Sequence, residues 1–255
     1  MIDAAPLSTN ASMFRSRIAD PTNFPETCDG GDIGSPAAPS IWLLGLEPGW
    51  SAQDTKNDEA GAGTAGDGHA EYSVELQQKM SFNRNAFKLL AALKNEDPEN
   101  YKSFASKERP FEGGSKGYFK ANLFPVPCNN LDEWSDDDRH ATGFADKTFY
   151  QRWMRETRFP IVRAWIEKCR PKLIICTGVT HLSDFLAVTD TPGVPEPHFV
   201  RVNGHPKRVH VASNGIVPIA VIPHLSGGPH SLNSYQAISD TADYVRRALP
   251  EVEFG

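Results

Sequence analysis

Ser40-Ile41-Trp42-Leu43-Leu44-Gly45-Leu46-Glu47-Pro48-Gly49 is the stretch on which the fold turns. Ile41 to Leu46 is an unbroken apolar run, the pattern of a strand buried on both faces. Glu47-Pro48-Gly49 then closes it with a turn signal. Lys172-Leu173-Ile174-Ile175-Cys176-Thr177-Gly178 and Val217–Ile222 repeat the pattern further along. Gly117–Phe124 reads as another strand, stopped by Pro125 and Pro127. Phe199–Val202 and Arg208–Ala212 complete the set, with Ser213-Asn214-Gly215 as a hairpin turn.

Helical spacing fills the gaps. Phe82, Ala86, Phe87, Leu89, Leu90 and Leu93 share one face of a predicted helix. Thr148–Lys168 is a second helical region, which Pro160 is expected to break or kink. A short helix follows near Val179–Ala187, and Ser234–Leu249 is a closing amphipathic helix. Strands alternating with helices predict an α/β layered fold with a mainly parallel sheet. Residues 1–40, rich in Pro, Ser, Asp and Gly, read as an irregular N-terminal arm, and 41–255 as one domain. The run Asp132–Asp138 reads as a solvated loop. Gly61-Ala62-Gly63-Thr64-Ala65-Gly66 matches G-x-G-x-x-G, but no strand enters it and no helix leaves it, so Ser51–Ala70 is expected to be a surface loop.

Composition excludes several classes. With 255 residues, 39% hydrophobic and 23% charged, the chain can bury a core without staples. No apolar run approaches the roughly 20 residues of a membrane span, and no secretory signal is expected. Four scattered cysteines (Cys28, Cys128, Cys169, Cys176) form no Cys-x-x-Cys pair, which fits a reducing cytoplasm and argues against a zinc knuckle or iron–sulfur cluster. The net charge of −6 does not advertise a nucleic-acid binder, though a local positive groove is compatible with it.

In such sheets ligands bind beyond the carboxyl ends of the strands. There the chain places Glu47, Asn122, Gly178 and Pro223-His224-Leu225-Ser226. Each has a plain structural reading: Glu47 as a turn carboxylate, His224 as a packed imidazole, Asn122 as an amide bonded to neighbouring backbone. His224 also opens a loop, Ser226-Gly227-Gly228-Pro229-His230, whose small residues allow a ligand close to the backbone.

Taken in order, Gly45-Leu46-Glu47-Pro48-Gly49, Ala121-Asn122-Leu123, Lys172–Gly178 and Pro223-His224-Leu225-Ser226 resemble the uracil-DNA glycosylase superfamily. Its first motif is Gly-x-x-Pro-Gly or Gly-x-Asp-Pro-Tyr, followed by an Asn-bearing strand and a late His-containing loop. The resemblance spans roughly Ile41–Leu249. It implies a three-layer α/β/α sandwich and a monomeric DNA glycosylase needing neither metal nor cofactor. Glu47 takes the position of a catalytic Asp, and His224 that of the imidazole that stabilises the departing base. Phe82 matches the aromatic that stacks on the flipped base, and Asn122 the amide that reads its edge, with Gly49 and Trp50 completing the base pocket. Ser226, Gly227, Gly228, His230 and Leu232 would form the DNA-contacting loop, with Leu232 as a wedge in the duplex. Phe82 as core packing and Leu232 as a hydrophobic staple are the structural alternatives.

Departures from the pattern bear on the substrate. Gly49 stands where uracil-specific members have a Tyr, the last motif lacks their His-Pro-Ser, and the cluster cysteines of one branch are missing. The expected substrate is therefore uracil or a larger 5-modified cytosine, such as the hydroxymethylated or glucosylated base of phage DNA, which would give an antiphage role. A competing reading is a non-catalytic nucleic-acid or nucleotide binder, with Lys207 and Arg208 of the basic segment Arg201–His210 tracking phosphates. A third, a metal-dependent hydrolase using His198, His205, His210, His224 and His230, finds no ligand spacing to rest on. Walker and Gly-x-Ser-x-Gly motifs are absent from the sequence.

Overall fold

A computed structural model describes residues 8–48, 72–127 and 134–254. Its strands are β1 (Gly30–Gly31), β2 (Ile41–Gly45), β3 (Tyr118–Asn122), β4 (Leu173–Thr177), β5 (Pro197–Val202), β6 (His205–Ala212) and β7 (Ile219–Ile222). The main helices are α1 (Thr9–Ala19), α2 (Val74–Gln77), α3 (Ser81–Leu93), α4 (Tyr101–Glu108), α5 (Asp136–Thr142), α6 (Lys147–Cys169), α7 (Leu182–Val188) and α8 (Tyr235–Ala248).

The strands form one mixed sheet in the order β1-β3-β2-β4-β7-β6-β5. Its centre is parallel, with β2 between β3 and β4 and with β7 beside β4. Both margins are antiparallel. Every residue of β2, β3, β4 and β7 is buried, as their apolar runs require. Alternation along each strand sorts the core into two clusters. Ile41, Leu43, Tyr118, Ile175 and Ile222 pack with α3, α4 and α8. Trp42, Leu44, Phe119, Cys176 and Val221 pack with α1, α6 and α7. At roughly 1.5–3 kcal/mol for each large apolar side chain, these clusters dominate the favourable side of folding.

Three expectations need correction, and one hairpin went unread. The lead-in to Ser40 is not irregular: from Ser8 onward it carries α1, two short 3-10 turns and β1. Long-range bonds hold it down, Arg15 to the Thr142 and Gly143 carbonyls at 3.1 and 2.8 Å, and Trp165 Nε1 to the Pro21 carbonyl at 2.7 Å. Pro160 neither breaks nor ends α6, because it lies on the exposed side, where water can satisfy the Glu156 carbonyl it leaves unbonded. Asp136–Asp138 are the first turn of α5, where acidic side chains meet the positive helix end and Ser135 and Asp138 close a capping box. Finally, Asn203 and Gly204, at φ 50° and 81°, turn β5 into β6 as a two-residue hairpin that the sequence reading missed. The Gly61–Gly66 segment lies outside the described residues. Among those described, no helix is long and apolar enough to cross a membrane.

Candidate functional site

β2 and β3 run side by side to their carboxyl ends, where Gly45 is the register partner of Asn122. A β-carbon on Gly45 would lie 2.3 Å from Asn122 Oδ1, so only glycine lets the amide lie flat across the strand end. Gly45→Ala is therefore expected to displace Asn122 and to cost about 1–3 kcal/mol. A thermal melt matching the wild type would show that the amide is not wedged there.

Asn122, 6% exposed, donates from Nδ2 to Asp29 Oδ1 at 3.1 Å. The other Asp29 oxygen pairs with Lys120 Nζ at 2.8 Å. Lys120 and Asn122 are two apart on β3 and so share a face. The Lys120 ammonium also donates to Tyr72 Oη at 2.9 Å and Asn83 Oδ1 at 3.2 Å. Burial pulls this lysine's pKa down, but Asp29 and Tyr72 outweigh burial and leave it above the ordinary lysine value. Lys120 Nζ stands 5.1 Å from the Phe82 ring centre, within cation–π range. Phe82 lies in the first turn of α3, partly buried, with its ring centre 5.3 Å from that of His224.

His224 follows β7 and the buried Pro223. Its carbonyl accepts from the Leu232 amide at 2.8 Å, while Asn85 Nδ2 holds the next carbonyl, that of Leu225, at 2.8 Å. His224 is exposed, yet the protein around its ring desolvates it enough to lower its pKa. Nδ1 lies 3.2 Å from the Ser226 amide and accepts from it. A neutral ring must then carry its proton on Nε2, where it is available to a ligand. Nitrogen NMR should find the Nε2–H tautomer and a titration midpoint below the ordinary histidine value. An Nδ1–H tautomer would contradict this geometry.

Glu47 lies two residues past Gly45, at the same end of the sheet, but its carboxylate turns to α6. Oε2 pairs with Lys147 Nζ at 2.9 Å, with side-chain exposures of 5% and 8%. Oε1 is buried without a hydrogen-bond partner. Desolvation raises the Glu47 pKa, opposed by Lys147 and Gln151. A buried carboxylate with one free oxygen can hold water or face a developing cation.

Phe82, Asn122 and His224 are thus gathered with Lys120 and Asp29, whereas the bonds of Glu47 run to the helix on the opposite face. Gly49 and Trp50 lie outside the described residues. Leu232 is no wedge: it is 0% exposed in the core, and its backbone braces His224. The loop before it is self-bonded, with the Ser226 and Ser231 hydroxyls 2.6 Å apart and Gly228 O accepting from Asn233 Nδ2 at 2.9 Å. Gly227 and Pro229 are exposed beside it, and His230 meets His205 edge-on, their ring centres 5.6 Å apart. Lys207 and Arg208 cannot form one phosphate track, because neighbours on β6 face opposite sides of the sheet. Arg208 lines a cleft of about 900 Å³ with Ser183 and Asp190, on the face away from Phe82. A smaller cleft, about 360 Å³, lies beside Phe149 and Trp153. Neither cleft is lined by Phe82, Asn122 or His224, so the chemistry-bearing groups and these two hollows are separate. The remaining histidines are dispersed, His198 stacked on Tyr244 and His210 bonded to the Pro195 carbonyl at 2.7 Å.

Sequence reasoning passed over Asp29, Lys120, Tyr72, Asn83 and Lys147. A signal existed for Lys120, a lone charge between Phe119 and Ala121 in an apolar strand. Asp29 offered none. Fold and site together define an α/β protein whose candidate site sits at the carboxyl ends of parallel strands. No protein-family model matches the chain, and no curated protein matches it in sequence.

Proposed function

We propose that the chain is a DNA glycosylase on a three-layer α/β/α frame, excising uracil or a larger 5-modified cytosine. The observation that carries this reading is the convergence of an aromatic ring, an amide and an Nε2–H imidazole from α3, β3 and the loop after β7. Each supplies what recognition of an extruded base needs: a stacking face, a hydrogen-bonding edge, and a donor to an oxygen that gains negative charge. The apolar clusters on the two sheet faces support the layered frame.

In the reaction the sugar C1′–N1 bond breaks and its electron pair departs with the base. Water oxygen bonds to C1′, and one water proton ends on the base. His224 Nε2–H stabilises the leaving pyrimidine, and the unbonded Glu47 oxygen faces the sugar cation or the water. A base inside the stack is out of reach, so it must be flipped out at a cost of a few kcal/mol. Oligonucleotides carrying uracil, hydroxymethylcytosine or glucosylated cytosine, incubated with the protein and then alkali, should break at the altered position. Intact strands for all three would end this proposal. The ion pair of Glu47 with Lys147 favours a second reading, a binder on the same frame whose carboxylate is purely structural.

A further inference from the structure

Resting on that glycosylase reading, we infer that the β5–β6 hairpin is a finger that grips DNA phosphates beside the site, with Lys207, His205 and His230 as its contacts and Arg208 taking no part. Residues 76–95 and 197–239, which carry Phe82 and His224, hold none of the chain's 32 acidic residues but seven of its 26 basic ones. An even spread would put about eight acidic residues there. The net charge of −6 therefore conceals a set of segments suited to a polyanion. Among these the hairpin is the part that stands out from the sheet.

Register shows how far. β6 pairs with β7 only from His210, opposite Val221, to Ala212, opposite Ile219. Because the two strands are antiparallel, His205–Arg208 run on past the carboxyl end of β7, by about 13 Å at the rise of a strand. The projection is held at both ends. Val202 and Val209, each 0% exposed, anchor its base in the core shared with α8. At its turn Asn203 Nδ2 donates to the Pro229 carbonyl at 2.9 Å, and the His205 ring meets that of His230. These contacts join the finger to the loop that His224 opens. Alternation along β6 then decides which cation faces the site. His205 and Lys207 share the side of Val209, the face of Phe82 and α8, whereas Arg208 lines the cleft with Ser183 and Asp190 on the other face. His205 and His230 are exposed and Lys207 is partly so. A duplex laid across the carboxyl edge to deliver a base to Phe82 and His224 meets this projecting face. The lysine ammonium and the imidazole N–H groups are donors that phosphate oxygens accept from.

The test is equilibrium binding of an unmodified DNA duplex across a salt series, for wild type, Lys207→Gln and Arg208→Gln. One phosphate contact is worth a slope of about 0.9 in log affinity against log salt, and so about eightfold in affinity at 0.1 M. Lys207→Gln should lose that slope and that affinity. Arg208→Gln, an equal loss of charge one residue away, should change neither, and Lys207→Arg should keep both. Single-turnover excision by Lys207→Gln at saturating DNA should stay within about twofold of wild type, because the contact binds without reacting. Equal effects of the two glutamine variants, or no effect of Lys207→Gln, overturn the inference, and excision by the wild type would still uphold the glycosylase reading. A wild type inert on every altered base, with the Lys207-dependent slope present, removes that reading and supports the finger as a DNA contact. Should Lys207→Gln not fold, NMR of the wild type serves instead. The ring signals of His205 and His230 should shift as duplex is added while those of the buried His210 stay, and unmoved His205 and His230 signals would overturn the inference.

Discussion

Glu47→Gln is expected to lower single-turnover base excision about 10²- to 10⁴-fold while DNA affinity stays within a few fold. The substitution keeps shape and volume, and an amide oxygen can still accept from Lys147 where Oε2 now does at 2.9 Å. What disappears is the negative charge, whose effect is largest when the sugar becomes cationic. Interactions made only in the transition state show as lost rate at unchanged binding. A binder would give a different record: affinity the same and no turnover in either protein. Excision by Glu47→Gln at the wild-type rate would remove Glu47 from the chemistry.

Lys147→Met should destabilise the fold by about 3–5 kcal/mol near neutral pH, because it leaves a buried carboxylate without its counter-charge. For a chain of this size that corresponds to a fall in Tm on the order of 10 °C. The pH dependence has a definite sign. Burial already raises the Glu47 pKa above its unfolded value, and Lys147 opposes that rise. A carboxyl raised in the folded state favours folding while protonated, and this contribution is lost as pH climbs from the unfolded value through the folded one. Removing Lys147 lifts the folded value further and widens that window. The deficit of the variant should therefore be large near neutrality and shrink in mildly acid solution, as read by thermal melts across the carboxylate range. A deficit that grows on acidification would show that the ion pair does not govern this carboxylate.

The parallel centre of the sheet was legible because burial on both faces forces continuous apolar runs, which Ile41–Leu46 and Leu173–Thr177 display. Helix α3 was legible for a similar reason, its buried Phe87, Leu90 and Leu93 recurring at helical spacing. Segment 8–40 was not. Its helix and turns depend on bonds to residues more than a hundred positions away, such as Arg158 Nη1 to Thr27 Oγ1 at 2.7 Å. Nothing in local composition encodes such partners. Leu232 shows an ambiguity of another kind: a leucine in a loop has the same letter whether it packs beside a helix start or enters a duplex, and burial alone decides for packing.

For the site, residue type and position at a strand end were enough to pick out Glu47, Asn122 and His224, since ligands of parallel sheets gather at that edge. Phe82 entered only through the family resemblance. Which way each group points came from packing. Pairing of Glu47 with Lys147, the tautomer set on His224 by the Ser226 amide, and the orientation given to Asn122 by Asp29 and Gly45 all join residues far apart in the chain or depend on a loop's exact path. Hydrogen bonds and ion pairs require donor and acceptor within about 3 Å, and only the folded arrangement of distant segments brings them so close.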